Sequence, residues 1–87
     1  MHKQYSPAIL PLLQSLLATL ADIDFAHECE LERLGSGSGD PSVKERVRST
    51  LKAEHRQRRE PYVQQVALLE GRIRDAMLED RESRQAA

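Results

Sequence analysis

Apolar residues recur along residues 7–34 with the spacing of one helix face, in alternating steps of four and three. The apolar positions are Ile9, Leu13, Leu16, Leu20, Ile23 and Leu34, and the polar His27 and Glu30 occupy the two remaining steps between Ile23 and Leu34. Because a helix has 3.6 residues per turn, this spacing predicts one long amphipathic helix. Leu10, Leu12 and Leu17 widen its apolar face. Each leucine is worth roughly 1.5–3 kcal/mol when fully buried, so the pattern indicates a helix that needs a partner surface.

A Gly/Ser-rich loop and a second helical pattern follow. Residues 35–40 read GSGSGD, with Gly35 suited to the position after a helix end, and Asp40-Pro41 is typical of a helix start. The second apolar pattern is narrow at first and widens after Pro61. Proline removes a backbone hydrogen bond, so we expect Pro61 to kink this helix rather than break it.

These signals divide the chain into one domain with five segments. Ser6-Pro7 is a plausible helix start, while residues 81–87 are polar and expected to fray. The segments are a loose N-terminus at 1–6, a first helix at 7–34, a loop at 35–40, a second arm at 41–80 and a frayed tail at 81–87.

Charge suggests how the two helices pair. Acidic residues cluster in 22–32 and basic residues in 44–59. A short loop makes neighbouring helices antiparallel, which sets these segments side by side and places His27 near Leu51 and Leu13 near Val66. The sequence therefore predicts an all-α fold, an antiparallel helical hairpin whose second arm is kinked at Pro61.

Two helices cannot cover the broad leucine face, so we expect the hairpin to dimerise. Two copies with coiled-coil-like packing would form a four-helix bundle with twofold symmetry. The predicted interface comprises Leu12, Leu13, Leu16, Leu17, Leu20, Val66, Leu69, Ile73 and Met77.

Composition narrows the function. The 87 residues carry a net charge of −1 and a single cysteine, Cys29, which suits a reducing cytoplasm. Gln14 and Ser15 interrupt the N-terminal apolar run, so no signal peptide is expected. The run is also too short for a membrane span, which needs about 18 or more apolar residues. The GSGSG run lacks the lysine and the preceding strand of a phosphate-binding loop. We expect no enzymatic activity and no cofactor.

Two other functions rest on particular residues. Arg48, Lys52, Arg56 and Arg59 share a face of the second helix, as in helices that follow phosphates. Nucleic-acid binding is thus an alternative, although no aromatic residue lies among them. A metal site is the further alternative, with Asp24 and His27 as weak candidates three residues apart. His55 lies among bases and is expected to face solvent.

The hypothesis that accounts for most of the pattern is a small, non-enzymatic interaction or adaptor module. It would self-associate through its leucine-rich face and bind another protein.

Overall fold

A computed structural model of the chain describes residues 6–86, except the side chain of Ala86, and contains two helices there. Helix α1 spans Ile9–Ser36 and helix α2 spans Pro41–Ala86, with residues 37–40 between them. The two helices contact each other, and no strand occurs within residues 6–86. The predicted all-α class is confirmed. The prediction for residues 1–5 lies outside the described residues.

Helix α1 begins two residues later than the Ser6-Pro7 pair predicts. The Ser6 carbonyl accepts a hydrogen bond from the Ile9 amide at 3.0 Å, and the Ser6 hydroxyl accepts one from the Ala8 amide at 3.3 Å. These bonds form a turn before the helix. Pro11 then lies at the third helical position, where the backbone nitrogen has no helical acceptor, so its missing N–H costs no hydrogen bond.

The end of α1 also differs from the prediction, because Gly35 lies inside the helix. The Ser36 hydroxyl donates to the Glu32 carbonyl at 2.9 Å, and the Gly37 amide donates to the Arg33 carbonyl at 3.1 Å. These bonds carry the helix two residues beyond the predicted end, and Gly37 terminates it in an extended conformation.

The connection to α2 depends on Gly39 and Asp40. Gly39 has a φ of 151°, a conformation that other residues rarely adopt. Asp40 caps α2, since its Oδ1 accepts hydrogen bonds from the Ser42 amide at 2.9 Å and the Ser42 hydroxyl at 3.0 Å. The Lys44 ammonium donates to the Gly37 carbonyl across the loop. The Asp40-Pro41 pair thus starts α2 where the sequence predicts.

Helix α2 continues through Pro61 without a break and ends six residues beyond the predicted boundary at 80. An ion pair between Arg84 and Asp80, 3.1 Å apart and one turn from each other, lies in this C-terminal extension. At about 1.5 Å per residue the 46 residues of α2 account for the 69 Å length of the molecule.

The molecule is far more elongated than a globular domain. Its Cα radius of gyration is 20.1 Å, against about 12 Å for a compact chain of this length. Helix α2, with 46 residues, is much longer than α1, with 28. A shape this thin leaves little interior.

Candidate interaction surface

The buried core is small and apolar. Only Ile9, Leu20, Val66 and Leu69 are buried among the described residues, with 4–8% of their surface exposed, and none is fully enclosed. Domains of this size are marginally stable even when compact. The contact between α1 and α2 by itself therefore provides a thin core.

The predicted interface residues fall into three groups in the structure. Leu20, Val66 and Leu69 are buried within the chain, while Leu13, Leu16 and Ile73 are half-buried. Leu12, Leu17 and Met77 are 50%, 48% and 62% exposed. The last group is fully available to another molecule.

Exposed apolar side chains outnumber buried ones. Besides Leu12, Leu17 and Met77, the exposed large apolar residues in the described part of the chain are Leu10, Phe25, Val43, Val47, Val63, Leu68 and Leu78. The chain exposes 7039 Å², whereas a compact monomer of 9.9 kDa would expose about 5,200 Å². The excess, roughly 1,800 Å², is more than the ~800 Å² per partner buried in a standard protein interface.

An open groove of about 450 Å³ lies between the helices next to this apolar surface. Leu20 of α1 forms one wall, and Val63, Val66 and Ala67 of α2 form the other. Arg59, Glu70 and Arg74 complete its lining. The lining thus combines four apolar residues with charged groups of both signs.

A polar cluster joins the two helices closer to the loop. Asp24 Oδ1 lies 2.7 Å from His55 Nε2 and 2.9 Å from Arg59 Nε. Because a carboxylate only accepts hydrogen bonds, His55 donates from Nε2. Arg59 Nε is shielded from solvent yet makes no hydrogen bond, so its contact with Asp24 is an ion pair without an aligned N–H. A second pair, Arg58 with Glu30, is looser at 3.8 Å.

Two histidines stack within this cluster, and both differ from their predicted positions. The rings of His27 and His55 are 4.0 Å apart and nearly parallel. The prediction that His55 faces solvent is wrong, because its side chain is only 23% exposed. His27 stacks on His55 rather than beside Leu51, one turn earlier. The Asp24 carboxylate holds His55 between the helices, and sequence reasoning underrated this pairing of opposite charges.

The metal candidates Asp24 and His27 both belong to this cluster, each in contact with His55. Within residues 6–86, however, no group of three or more histidine, cysteine or acidic side chains is arranged to hold a metal ion. Cys29 is a half-exposed free thiol.

The four basic candidates for nucleic-acid binding divide into two pairs. Arg48 contacts Glu45 at 2.6 Å, and Arg59 is engaged with Asp24. Lys52 and Arg56 are exposed and have no ion-pair partner among the described residues. Only half of the predicted phosphate-binding face therefore remains free.

Helix α1 is long and apolar enough to cross a membrane by length and composition, with a mean hydropathy of 1.5 over its most apolar 18 residues. This corrects the expectation that the apolar run is too short. The core helix of a soluble protein or a signal sequence meets the same criterion, so the finding is weak evidence for a span.

No protein-family model matches this sequence, and neither a curated protein nor a solved structure matches it.

Proposed function

We propose that this chain is a non-enzymatic interaction module that self-associates as a homodimer through its leucine-rich surface. The observation that supports this function best is the number of exposed large apolar side chains within residues 6–86, ten against four buried residues. Monomeric soluble proteins rarely expose contiguous apolar patches of more than a few hundred Å². A second copy is the simplest surface that covers the exposed Leu10 and Leu17 beside the groove, and twofold dimers are the commonest closed assemblies.

The arrangement within each copy would be an antiparallel helical hairpin. Asp24 of α1 contacts His55 and Arg59, while Leu20, one turn farther from the loop, lines a groove with Val63 and Val66. A contact nearer the start of α1 is thus a contact nearer the end of α2, which supports an antiparallel arrangement. Two such hairpins would complete a four-helix bundle, whose core would also receive the half-buried residues of the predicted interface.

Light scattering after size exclusion tests this proposal. We expect a mass of twice 9.9 kDa at low and high salt, because apolar burial is little affected by moderate salt. A Leu17→Asp variant should run as a monomer, since each copy would bury a carboxylate in the interface. A Leu68→Asp variant is the matched control: Leu68 is similarly exposed at 57% but lies on the outer side of α2. A monomeric wild-type protein across the concentration range would refute the proposal.

Binding to lipid is the outcome that would assign the leucine-rich surface to a membrane instead of a second copy. Vesicles of phosphatidylcholine with phosphatidylglycerol would recruit the chain if α1 served as a membrane segment. If the protein is monomeric and sediments with these vesicles, and Leu17→Asp abolishes sedimentation, the leucine surface is a lipid surface.

A further inference from the structure

The two sides of the proposed hairpin present different side chains. At about 100° per residue, Leu17 of α1 points to the same side as Asp24, which contacts Arg59, while Leu12 lies about 140° away on the side of Glu30. On α2, Arg59 and Val63 share a side by the same measure. Leu17 and Val63 therefore lie on one face and Leu12 on the other.

We call the first of these the Leu17 face. It comprises Leu10, Leu17, Glu28 and Glu32 of α1 with Lys52, Arg56 and Val63 of α2. Its apolar part contains both a ridge and a groove. Leu10 and Leu17, 45% and 48% exposed, form the ridge along α1, and the groove lined by Leu20, Val63, Val66 and Ala67 lies beside it. A ridge next to a groove on the same face is self-complementary under twofold rotation.

The charged part of the face is also self-complementary. Glu28 and Glu32 are exposed on α1, and Lys52 and Arg56 are exposed on α2. None of the four has an ion-pair partner among the described residues. Since Asp24 contacts His55, Glu28 lies one turn nearer the loop, level with Lys52. Acids and bases thus occupy opposite edges of one face at the same height.

From these positions we infer that the Leu17 face is the dimer interface and that its occupant is a second copy with its loop at the same end. A twofold axis parallel to the helices places α1 of each copy over α2 of the other. The leucine ridge then enters the partner's groove, and the acidic edge meets the partner's basic edge twice. Loops at opposite ends would require a twofold axis perpendicular to the helices, which places α1 over α1 and α2 over α2, so the acidic edge would not face the partner's basic edge. This inference rests on the proposed homodimer.

Charge exchange between two variants tests the face. Glu28→Lys/Glu32→Lys and Lys52→Glu/Arg56→Glu should each dissociate at least tenfold more readily than wild type at low salt, because like charges meet twice. An equimolar mixture should recover wild-type association, since both contacts in the heterodimer are again opposite in charge. The quadruple variant, with all four charges reversed in the same chain, should also recover wild-type association. Circular dichroism would show that all variants keep their helices.

Each outcome separates this inference from the proposed dimer. If wild type is a dimer and the charge variants associate normally, another face forms the dimer. If they weaken but do not recover on mixing, the charges act within each chain and the inference is overturned. Leu12→Asp provides the matched control for the face, because Leu12 is as exposed as Leu17 but lies on the other side; it should leave the mass unchanged.

A spin label tests the orientation of the copies. In a Cys29→Ser background, Met77→Cys places one label on the part of α2 that extends past α1. Residue 77 lies about 20 residues from the level of the middle of α1, so loops at opposite ends would separate the labels by about 60 Å. Loops at the same end should bring them within about 25 Å, the width of a four-helix bundle with its labels. A distance near 60 Å would overturn the inferred orientation.

Nucleic acid is the alternative partner for the basic edge formed by Lys52 and Arg56. A fluorescent single-stranded oligonucleotide at low salt should bind wild type no better than it binds Lys52→Glu/Arg56→Glu. Binding that this variant abolishes, with an unchanged dimer mass, would assign the basic edge to phosphate and overturn its role between copies.

Discussion

The polar cluster around Asp24 and the leucine ridge of α1 satisfy their side chains in different ways. In the cluster, which lies midway along α1, Asp24 pairs with both His55 and Arg59 across the helices within a single chain. Toward the start of α1, the leucine ridge stays about half exposed beside a shallow groove. An ion pair or hydrogen bond needs only one partner group within reach. The free energy gained from apolar burial, in contrast, increases with every Å² of surface that is covered. The polar cluster therefore finds its partners within one chain, whereas the apolar end, where α1 begins, leaves large apolar side chains uncovered.

The apolar end should contribute most of the stability. Leu69 is the most buried residue at 4% exposure, so Leu69→Ala should lower the free energy of unfolding by about 2–4 kcal/mol. Its neighbour Leu68 is 57% exposed and points outward, so Leu68→Ala should cost under about 1 kcal/mol. Urea unfolding at a fixed protein concentration measures both, because self-association of the kind proposed would make the stability depend on concentration. Equal effects would contradict this division of the core.

The polar cluster should contribute less. Asp24→Ala removes the partner of His55 and Arg59, but the Asp24 side chain is 44% exposed and screened by solvent, so we expect a loss of about 1 kcal/mol. Added salt should reduce the difference from wild type. Asp22→Ala is the control, since Asp22 is exposed on the same helix and makes no ion pair within the described residues. If the two variants unfold alike, the cluster does not hold the helices together.

The smallest effect concerns the helix cap at the loop. The amide of Ser42, and then its hydroxyl, donate hydrogen bonds that hold the pKa of Asp40 below its ordinary value of 3.8. The cap's stabilisation is therefore complete above that value and is lost as the pH falls through the lower, folded-state pKa. Asp40→Asn keeps an amide oxygen that can cap the helix but does not titrate there.

The difference in unfolding free energy between wild type and Asp40→Asn isolates this cap from the other carboxylates. We expect wild type to lose stability relative to Asp40→Asn only below about pH 4. A difference that does not change between pH 3 and pH 6 would show that the Asp40 cap makes no titrating contribution.

Much of the fold could be predicted because local signals agree. The alternating spacing in α1 and the Asp40-Pro41 start of α2 depend on neighbours a few residues away. The ends of the helices were harder to predict. Ser36 and Gly37 extend α1 through hydrogen bonds to the carbonyls of the preceding turn, and the presence of Gly35 in the sequence does not reveal these bonds. The tail after residue 80 continues as helix, although its polar sequence suggested fraying.

The candidate site was only partly predictable. The sequence indicated that the leucine face needs a partner and that acids and bases lie alongside each other. It did not indicate that His55 turns inward to stack on His27, because a ring's orientation depends on the carboxylate it meets across the helix pair. Nor did it separate Leu20, which is buried within the chain, from Leu17, which is not.

By itself, then, the sequence determined the helical class, the loop and the excess of apolar surface, because periodicity, turn residues and composition act locally or as sums along the chain. Only the tertiary structure decided which leucines are buried against α2 and which charges remain unpaired. It also decided that exposed leucines and unpaired charges share a side of the helix pair. These depend on the rotation and relative height of two helices, which are set by side-chain contacts between residues about thirty positions apart.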